Sequence, residues 1–357
     1  MSNFSLNTLT TSFALTAGLL MLPAISQASP IQQFDGSDSI YMDYANGKDE
    51  LLVNNFNTDL TLSFDIYQSA TPDSADSWTL DRSYTSEDFS EINTDNFYSL
   101  NTSAAVHYNG DWYFSVVSQS AGEYTTLPET IEVWRITNRG AKPEQVLSIA
   151  SESSAYFAHS PVFIWHDQLV FIDTYGLVYT STDGTTWSEG TTVSALQTGY
   201  GYDVVSNGDT IYLAVDESVY RSTDLVTWTS IGDLCDEDVT SCYVTQLALR
   251  PSKGVFAVTS LEYTLYPLWV YKKGTWSNQT TFTNYVNDLK TFGSQTYALL
   301  SRGNAGYQYS ISTVAPDGST ESLVKKHNAS PMGLLSAKLL ITNPKNASYV
   351  NLVLYNN

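Results

Sequence analysis

An all-β ring of seven four-stranded antiparallel sheets, closed by an N-terminal strand, is the architecture that this sequence predicts. Three observations predict it. A ten-residue phrase recurs, VYTSTDGTTW at 178–187 and VYRSTDLVTW at 219–228, 41 positions on. A hairpin signal, in which an apolar strand meets a turn and then a stronger apolar strand, recurs seven times. Composition favours strands, with 25 Tyr, 14 Phe and 8 Trp beside many Thr, Val and Ile. After residue 30 no apolar stripe of helical period is sustained, so helix is expected to be scarce.

The seven hairpins read DYANGKDELLV, VHYNGDWYFSV, FIWHDQLVFI, DVVSNGDTIYLAV, LALRPSKGVFAV, DLKTFGSQTYALL and GLLSAKLLIT. Asn-Gly pairs in three of them mark two-residue type I′ turns, whose central residues both need positive φ. With Asn46, Asn109, His166, Asn207, Ser252, Phe292 and Ser336 taken as equivalent, the spacings are 63, 57, 41, 45, 40 and 44. Residues 79–97 and 117–130 read as insertions that account for the two long intervals. A second hairpin follows each first one. Its leading strands are DIYQS, EVWRIT, LVYTS, SVYRS, LWVYKK, YSIST and NLVLY, and Trp78, Trp187, Trp228 and Trp276 open return strands. Four strands repeated every 40–50 residues define a β-propeller blade. The chain stops after NLVLY, so the stretch Ile31 to Phe34 is expected to supply the missing outer strand of blade seven and leave no long open edge. Six or eight blades, and a β-sandwich with a small sheet, are the competing architectures.

Residues 1–28 read as a secretory signal peptide, and 29–357 as a single propeller domain. FALTAGLLML, at 13–22, has the length of an apolar core segment, and Ser26-Gln27-Ala28 offers small residues for cleavage. The run is too short to span a bilayer. The expected location is secreted or periplasmic. Cys235 and Cys242, seven positions apart, then read as a disulfide that pins one loop. The net charge of −21 repels phosphate backbones and argues against nucleic acid as a partner.

The segment Ser181-Thr182-Asp183-Gly184-Thr185-Thr186-Trp187 resembles the Asp-box, or BNR repeat, of sialidase-like propellers, one residue short of the pattern Ser-x-Asp-x-Gly-x-x-Trp. The copy at 222–228 lacks the glycine. Asp and Ser side chains accept and compete for backbone hydrogen bonds in turns, and Trp fills space between blades. Ser181, Asp183, Trp187, Ser222, Asp224 and Trp228 are therefore read as structural. Active sialidases carry a Phe/Tyr-Arg-Ile-Pro motif and an arginine triad. None of the six arginines here (Arg82, Arg135, Arg139, Arg221, Arg250 and Arg302) sits in that motif. The resemblance therefore implies the scaffold without sialidase catalysis.

Ligands of propellers bind at the mouth of the central channel. Asp203 and Asp288 each lie five residues before a turn glycine, with Gln246 near the same position in the blade between. They read either as a carboxylate pair for a cation or for acid/base work on a sugar, or as solvated strand-start residues. His159 and His107 are the best-placed bases. Tyr98, Tyr156, Tyr202, Tyr243 and Tyr285, with Phe97, Phe157 and Tyr200, precede inner strands and suit sugar stacking or a protein contact. Asp233, Asp236 and Asp238 in DLCDED are candidate Ca²⁺ ligands, and no other cofactor is indicated. The function that follows is that of a monomeric, exported binding module for a glycan or an extracellular protein. The rival is a glycoside hydrolase or polysaccharide lyase on the same scaffold.

Overall fold

The computed structural model describes residues 29–35, 37–45, 48–56, 62–85, 87–89, 97–102, 105–120, 129–137, 140–151, 161–173, 175–197, 199–235, 241–251, 254–301, 308–327, 329–343 and 349–355. They form a seven-bladed β-propeller of four-stranded antiparallel blades. A 3₁₀ turn at Ser194–Gln197 is the helical element among the described residues. The innermost strands of blades 1 and 3–7 are Ser37–Ala45, Val162–Trp165, Gly201–Ser206, Cys242–Leu249, Tyr285–Phe292 and Ser330–Leu334. Blade 2 has its inner strand in two pieces, Phe97–Thr102 and Val106–Tyr108, both paired with Asp111–Ser120.

The second strand of each blade explains why the ring holds. Residues 211–215 of blade 4, IYLAV, are buried throughout. Side chains alternate across a strand. Ile211, Leu213 and Val215 pack with blade 3, while Tyr212 and Ala214 pack with blade 5. Phe256 and Val258 face blade 6 in the same way, and Val255 and Ala257 face blade 4. A strand buried on both faces reads as a continuous apolar run. The core is accordingly divided among seven inter-blade gaps, each with its own cluster.

Closure is the expected one. Ser29–Asp35 pairs antiparallel with Tyr349–Leu354 and becomes the outermost strand of blade 7. Phe34 is buried in the gap between blades 7 and 1, with its ring 4.8 Å from Tyr67.

Three expectations need correction. The segment 117–130 is not wholly an insertion, because 117–120 and 129–130 are paired ends of the strands Asp111–Ser120 and Glu129–Ile136. The segment 79–97 is not wholly an insertion, because Thr79–Thr85 is the outermost strand of blade 1 and Phe89 is buried beyond it. The turn at Asn207-Gly208 is not a two-residue hairpin loop. Ser206 pairs with Ile211, and Asn207 Oδ1 accepts from the N–H groups of Asp209 and Thr210. The type I′ signature does hold at Asn109-Gly110, with φ of 52° and 93°. It also holds without glycine at His166-Asp167, with φ of 48° and 55°.

The recurrent phrase builds one turn twice. Asp183 Oδ1 accepts from the N–H groups of Thr185 (2.8 Å) and Thr186 (2.7 Å), and Ser181 Oγ accepts from Gly184 N–H (2.8 Å). Asp224 and Ser222 repeat these bonds with Val226, Thr227 and Leu225. The bonds from Thr186 and Thr185 hold the Asp183 carboxyl well below the usual range, and those from Thr227 and Val226 do the same for Asp224. Gly184 sits at φ 76°, and a Cβ there would collide with the Tyr113 hydroxyl. In the second copy Leu225 accepts φ 62° and buries its side chain in the gap between blades 3 and 4.

Replacing Phe34 by Ala should cost about 3–5 kcal/mol, as for a buried aromatic in a packed gap. Urea unfolding checks this. A change below about 1 kcal/mol would mean that Phe34 does not anchor the gap between blades 7 and 1.

Candidate functional site

Antiparallel alternation gives the ring two faces. The upper face carries the connections between blades and the turns joining second to third strands. The lower face carries the turns within the two hairpins of each blade.

Inside the channel, Asp203, Gln246 and Asp288 do share one register position. The ladder of each inner strand skips one residue just before them, between Gly201 and Asp203, Val244 and Gln246, and Val286 and Asp288. All three line one cavity of about 650 Å³, together with Lys290. Asp203 Oδ1 accepts from Val204 N–H (2.8 Å), and Oδ2 accepts from Leu247 N–H of blade 5 (2.7 Å). Asp288 Oδ2 accepts from Leu334 N–H of blade 7 (2.8 Å) and pairs with Lys290 Nζ at 3.0 Å. Three residues further on, Ser206 Oγ and Thr291 Oγ1 donate backwards to the carbonyls of Ile164 and Leu249. Blades 4 and 6 thus each staple the blade ahead and the blade behind. Part of Asp203 faces the cavity, but protein surrounds it. Desolvation, with a smaller contribution from the charge of Asp288, pushes its carboxyl up to about 7 against the pull of the Leu247 and Val204 amides.

On the upper face of blades 4–6, Tyr243 and Tyr285 meet residues that the sequence reading did not name. Tyr243 packs edge-on to Tyr263 (5.9 Å), and Tyr266 packs edge-on to Tyr285 (5.4 Å). Tyr263 is 66% exposed, Leu265 44%, Tyr285 43% and Tyr200 41%. These are four of the seven large hydrophobic residues that are exposed among the described residues, so the apolar surface is concentrated here. Tyr263 and Leu265 belong to the turn between VFAVTSL and YPLWVYK. Alternation of strand direction places that turn on the same face as the inter-blade connections, which is the signal that could have found them.

The patch is cross-tied. Glu262 and Tyr263 adopt φ of 47° and 57°, which side chains of this size rarely do. Glu262 N–H donates to Ser241 O, and the Tyr266 hydroxyl donates to Tyr263 O. Cys235 and Cys242 form the expected disulfide, with Cα atoms 5.9 Å apart, across the connection that leads to Tyr243. Tyr200 N–H donates to Asp216 Oδ1, and Asp216 O accepts from Val244 N–H.

Other candidates are placed as follows. His159, Tyr156, Phe157, Asp236 and Asp238, like residues 1–28, lie outside the described residues, as do the side chains of Phe97, Tyr98 and Tyr202. Asp233 accepts from the Ser218 hydroxyl. His107 packs edge-on against Trp112 at 5.4 Å. Among the described residues no group of three His, Cys, Asp or Glu side chains is disposed to hold a metal ion. No described helix is long and apolar enough to cross a membrane.

A carboxyl that titrates near 7 in the fold and near 4 when unfolded binds an extra proton between those values. Its contribution is therefore full below about pH 4 and is lost as pH rises through about 7. The difference between wild type and Asp203→Asn should show a slope of that sign. The ceiling is about 4 kcal/mol, reduced to about 1–2 because the group faces the cavity. Unfolding midpoints from pH 4 to pH 8 test it, and a flat difference would put the carboxyl in the ordinary range. Removing the disulfide, as Cys235→Ser with Cys242→Ser, should cost at most about 2.5 kcal/mol for so short a loop. Denaturation of both forms under oxidising conditions measures that.

No protein-family profile matches the chain, and no curated protein sequence matches it. Solved structures with the same fold include YCF48 from Cyanidioschyzon merolae, with a TM-score of 0.55 at 9% identity, over 92% of this chain and 98% of that one. Sqt1 from Saccharomyces cerevisiae gives 0.53 at 10% identity, over 93% and 99%. The extracellular domain of BT4673 from B. thetaiotaomicron gives 0.54 at 11%, over 92% of this chain and 40% of that one, so the likeness spans well under half of that protein. At these identities the likeness is one of fold.

Proposed function

We propose that the chain is an exported binding module that engages a glycan or an extracellular protein through the tyrosine patch on the upper face of blades 4–6. The observation that carries this reading is the clustering of exposed tyrosines around one strained, cross-tied turn at Glu262 and Tyr263. Strain of this kind persists where the surroundings enforce it, and it collects at ligand-binding positions. Tyrosine gives a large rigid face with a polar tip, which suits both sugar stacking and the centre of a protein interface. Export rests on the signal-peptide pattern at 1–28, and the disulfide accords with it. The repeated Ser-Asp turns support kinship with Asp-box propellers at the level of scaffold. YCF48, a propeller of the same fold, has been solved with a D1 peptide bound, with a TM-score of 0.56 at 9% identity over 93% of this chain and 97% of that one.

The enzyme reading is the weaker one. A general acid needs its carboxyl free to meet substrate. Both oxygens of Asp203 are held by backbone amides, and Asp288 Oδ2 is shared between an amide and an ammonium.

A panel of glycans, polysaccharides and secreted proteins, read for binding and for product release, tests the proposal. Saturable binding without products is expected. Tyr263→Ala combined with Tyr285→Ala should weaken it about tenfold or more, with the thermal midpoint little changed because both side chains are exposed. Turnover abolished by Asp203→Asn or Asp288→Asn would replace this reading with the glycosidase or lyase. Binding indifferent to the tyrosine pair would place the ligand elsewhere.

A further inference from the structure

The lower face holds a second pocket, of about 590 Å³, whose chemistry runs against the rest of the chain. Arg250, Lys272 and Lys273 line it together, in a protein with 16 basic and 37 acidic residues. Arg221, outside the lining, stands directly opposite Tyr212 in the blade 4 sheet, and its charge acts on the Tyr212 hydroxyl. The acid in the lining, Asp317, accepts from the Ser319 N–H and hydroxyl through Oδ1 and feels the charge of Lys272, so it offsets part of the positive charge of the three lining cations.

The pocket is built rather than incidental. Arg250 is only 7% exposed. Its Nε donates to Pro316 O of blade 6 (3.1 Å) and its Nη1 donates to Tyr271 O (3.2 Å). Gly254, at φ 103°, lets the chain pass Tyr271, where a Cβ would come within 2.6 Å of its carbonyl oxygen. Lys273 adopts φ 53° beside Gly274 at 86°, a position usually given to Asn, Asp or Gly. A lysine held there at a conformational cost matches the other cations around it.

We infer that this pocket binds the carboxylate of an acidic sugar, a uronate residue within a saccharide. Clustered Arg and Lys in a recess focus a positive potential and take carboxylates by charge-assisted hydrogen bonds. Tyr271, partly exposed, supplies an aromatic wall of the kind that sugar rings use, beside the buried Tyr212. The volume falls within the range of small-ligand pockets. No lining residue lies on an outermost strand, so the pocket offers no free backbone edge for an extended peptide to join. The net charge of the chain opposes approach of an anion from a distance, so binding depends on short-range contacts within the pocket.

Titration calorimetry of the purified protein with trigalacturonate, its methyl ester and a peptide bearing a free C-terminal carboxylate tests the inference. Saturable binding of trigalacturonate is expected, weakened about tenfold or more by esterification and by Lys272→Ala with Lys273→Ala. Both lysines are exposed, so that variant should keep its melting profile; Arg250→Gln is avoided because Arg250 joins two blades. Binding should persist in the Tyr263→Ala, Tyr285→Ala variant, which separates this pocket from the upper-face reading. Equal affinity for the ester, no saturable binding up to about 5 mM, or indifference to the lysine pair would overturn the proposal. Tighter binding of the peptide than of the saccharide would overturn the sugar assignment.

Discussion

Seven sheets stacked around an axis bury every face only when the last sheet meets the first. Here the meeting is the pairing of Ser29–Asp35 with Tyr349–Leu354. It completes blade 7 and brings Phe34 over Trp78 and Leu51 of blade 1 and Leu339 and Ile341 of blade 7. Without it blade 7 would lack its fourth strand and the gap between blades 7 and 1 would lose its aromatic anchor. The channel wall depends on the same constraint. The inner strands of blades 4–7 touch one another in turn, and the staples from Asp203 and Asp288 work only if each blade is held against the next.

Much of this was legible in the sequence because the second strand of each blade is buried on both faces. Runs such as IYLAV and VFAVTSL repeat at the blade period, and the turns before them fix the register. The outermost strands were harder to read. Thr79–Thr85 buries only Tyr84, so LDRSYT shows no apolar pattern and passed for a loop. The divided inner strand of blade 2 left no periodic trace either. Asp203 and Asp288 are equivalent because each directly follows the one-residue skip of its ladder, and both lie five residues before a turn glycine, which is the part that the sequence displays. That one oxygen of each is spent on the next blade was not legible, since partners 44 and 46 residues away leave no local mark.

The two faces differ in what their turns present. Above, aromatic side chains are pushed outward on a turn with left-handed backbone at Glu262 and Tyr263. Below, Lys273 occupies the same kind of backbone, and Arg250 closes the recess behind it. The positions that break local preference in blade 5 thus fall at the tips of its turns, while its strands follow their propensities. A scaffold that is locally consistent along its strands can carry such exceptions at its ends.

The closing pair also has a temporal side. Each blade is made of hairpins between neighbours in sequence, which can form early and quickly. The contact between Phe34 and the last blade joins opposite ends of the chain, and contacts of that kind are slow because the intervening chain must be ordered first. Folding should therefore divide into fast assembly of blades and a late step that shuts the ring. Until that step, the facing apolar surfaces of blades 1 and 7 remain open to water. An arc of this shape can capture a second arc as readily as its own other end, so the interval before closure is when the chain is most exposed to association.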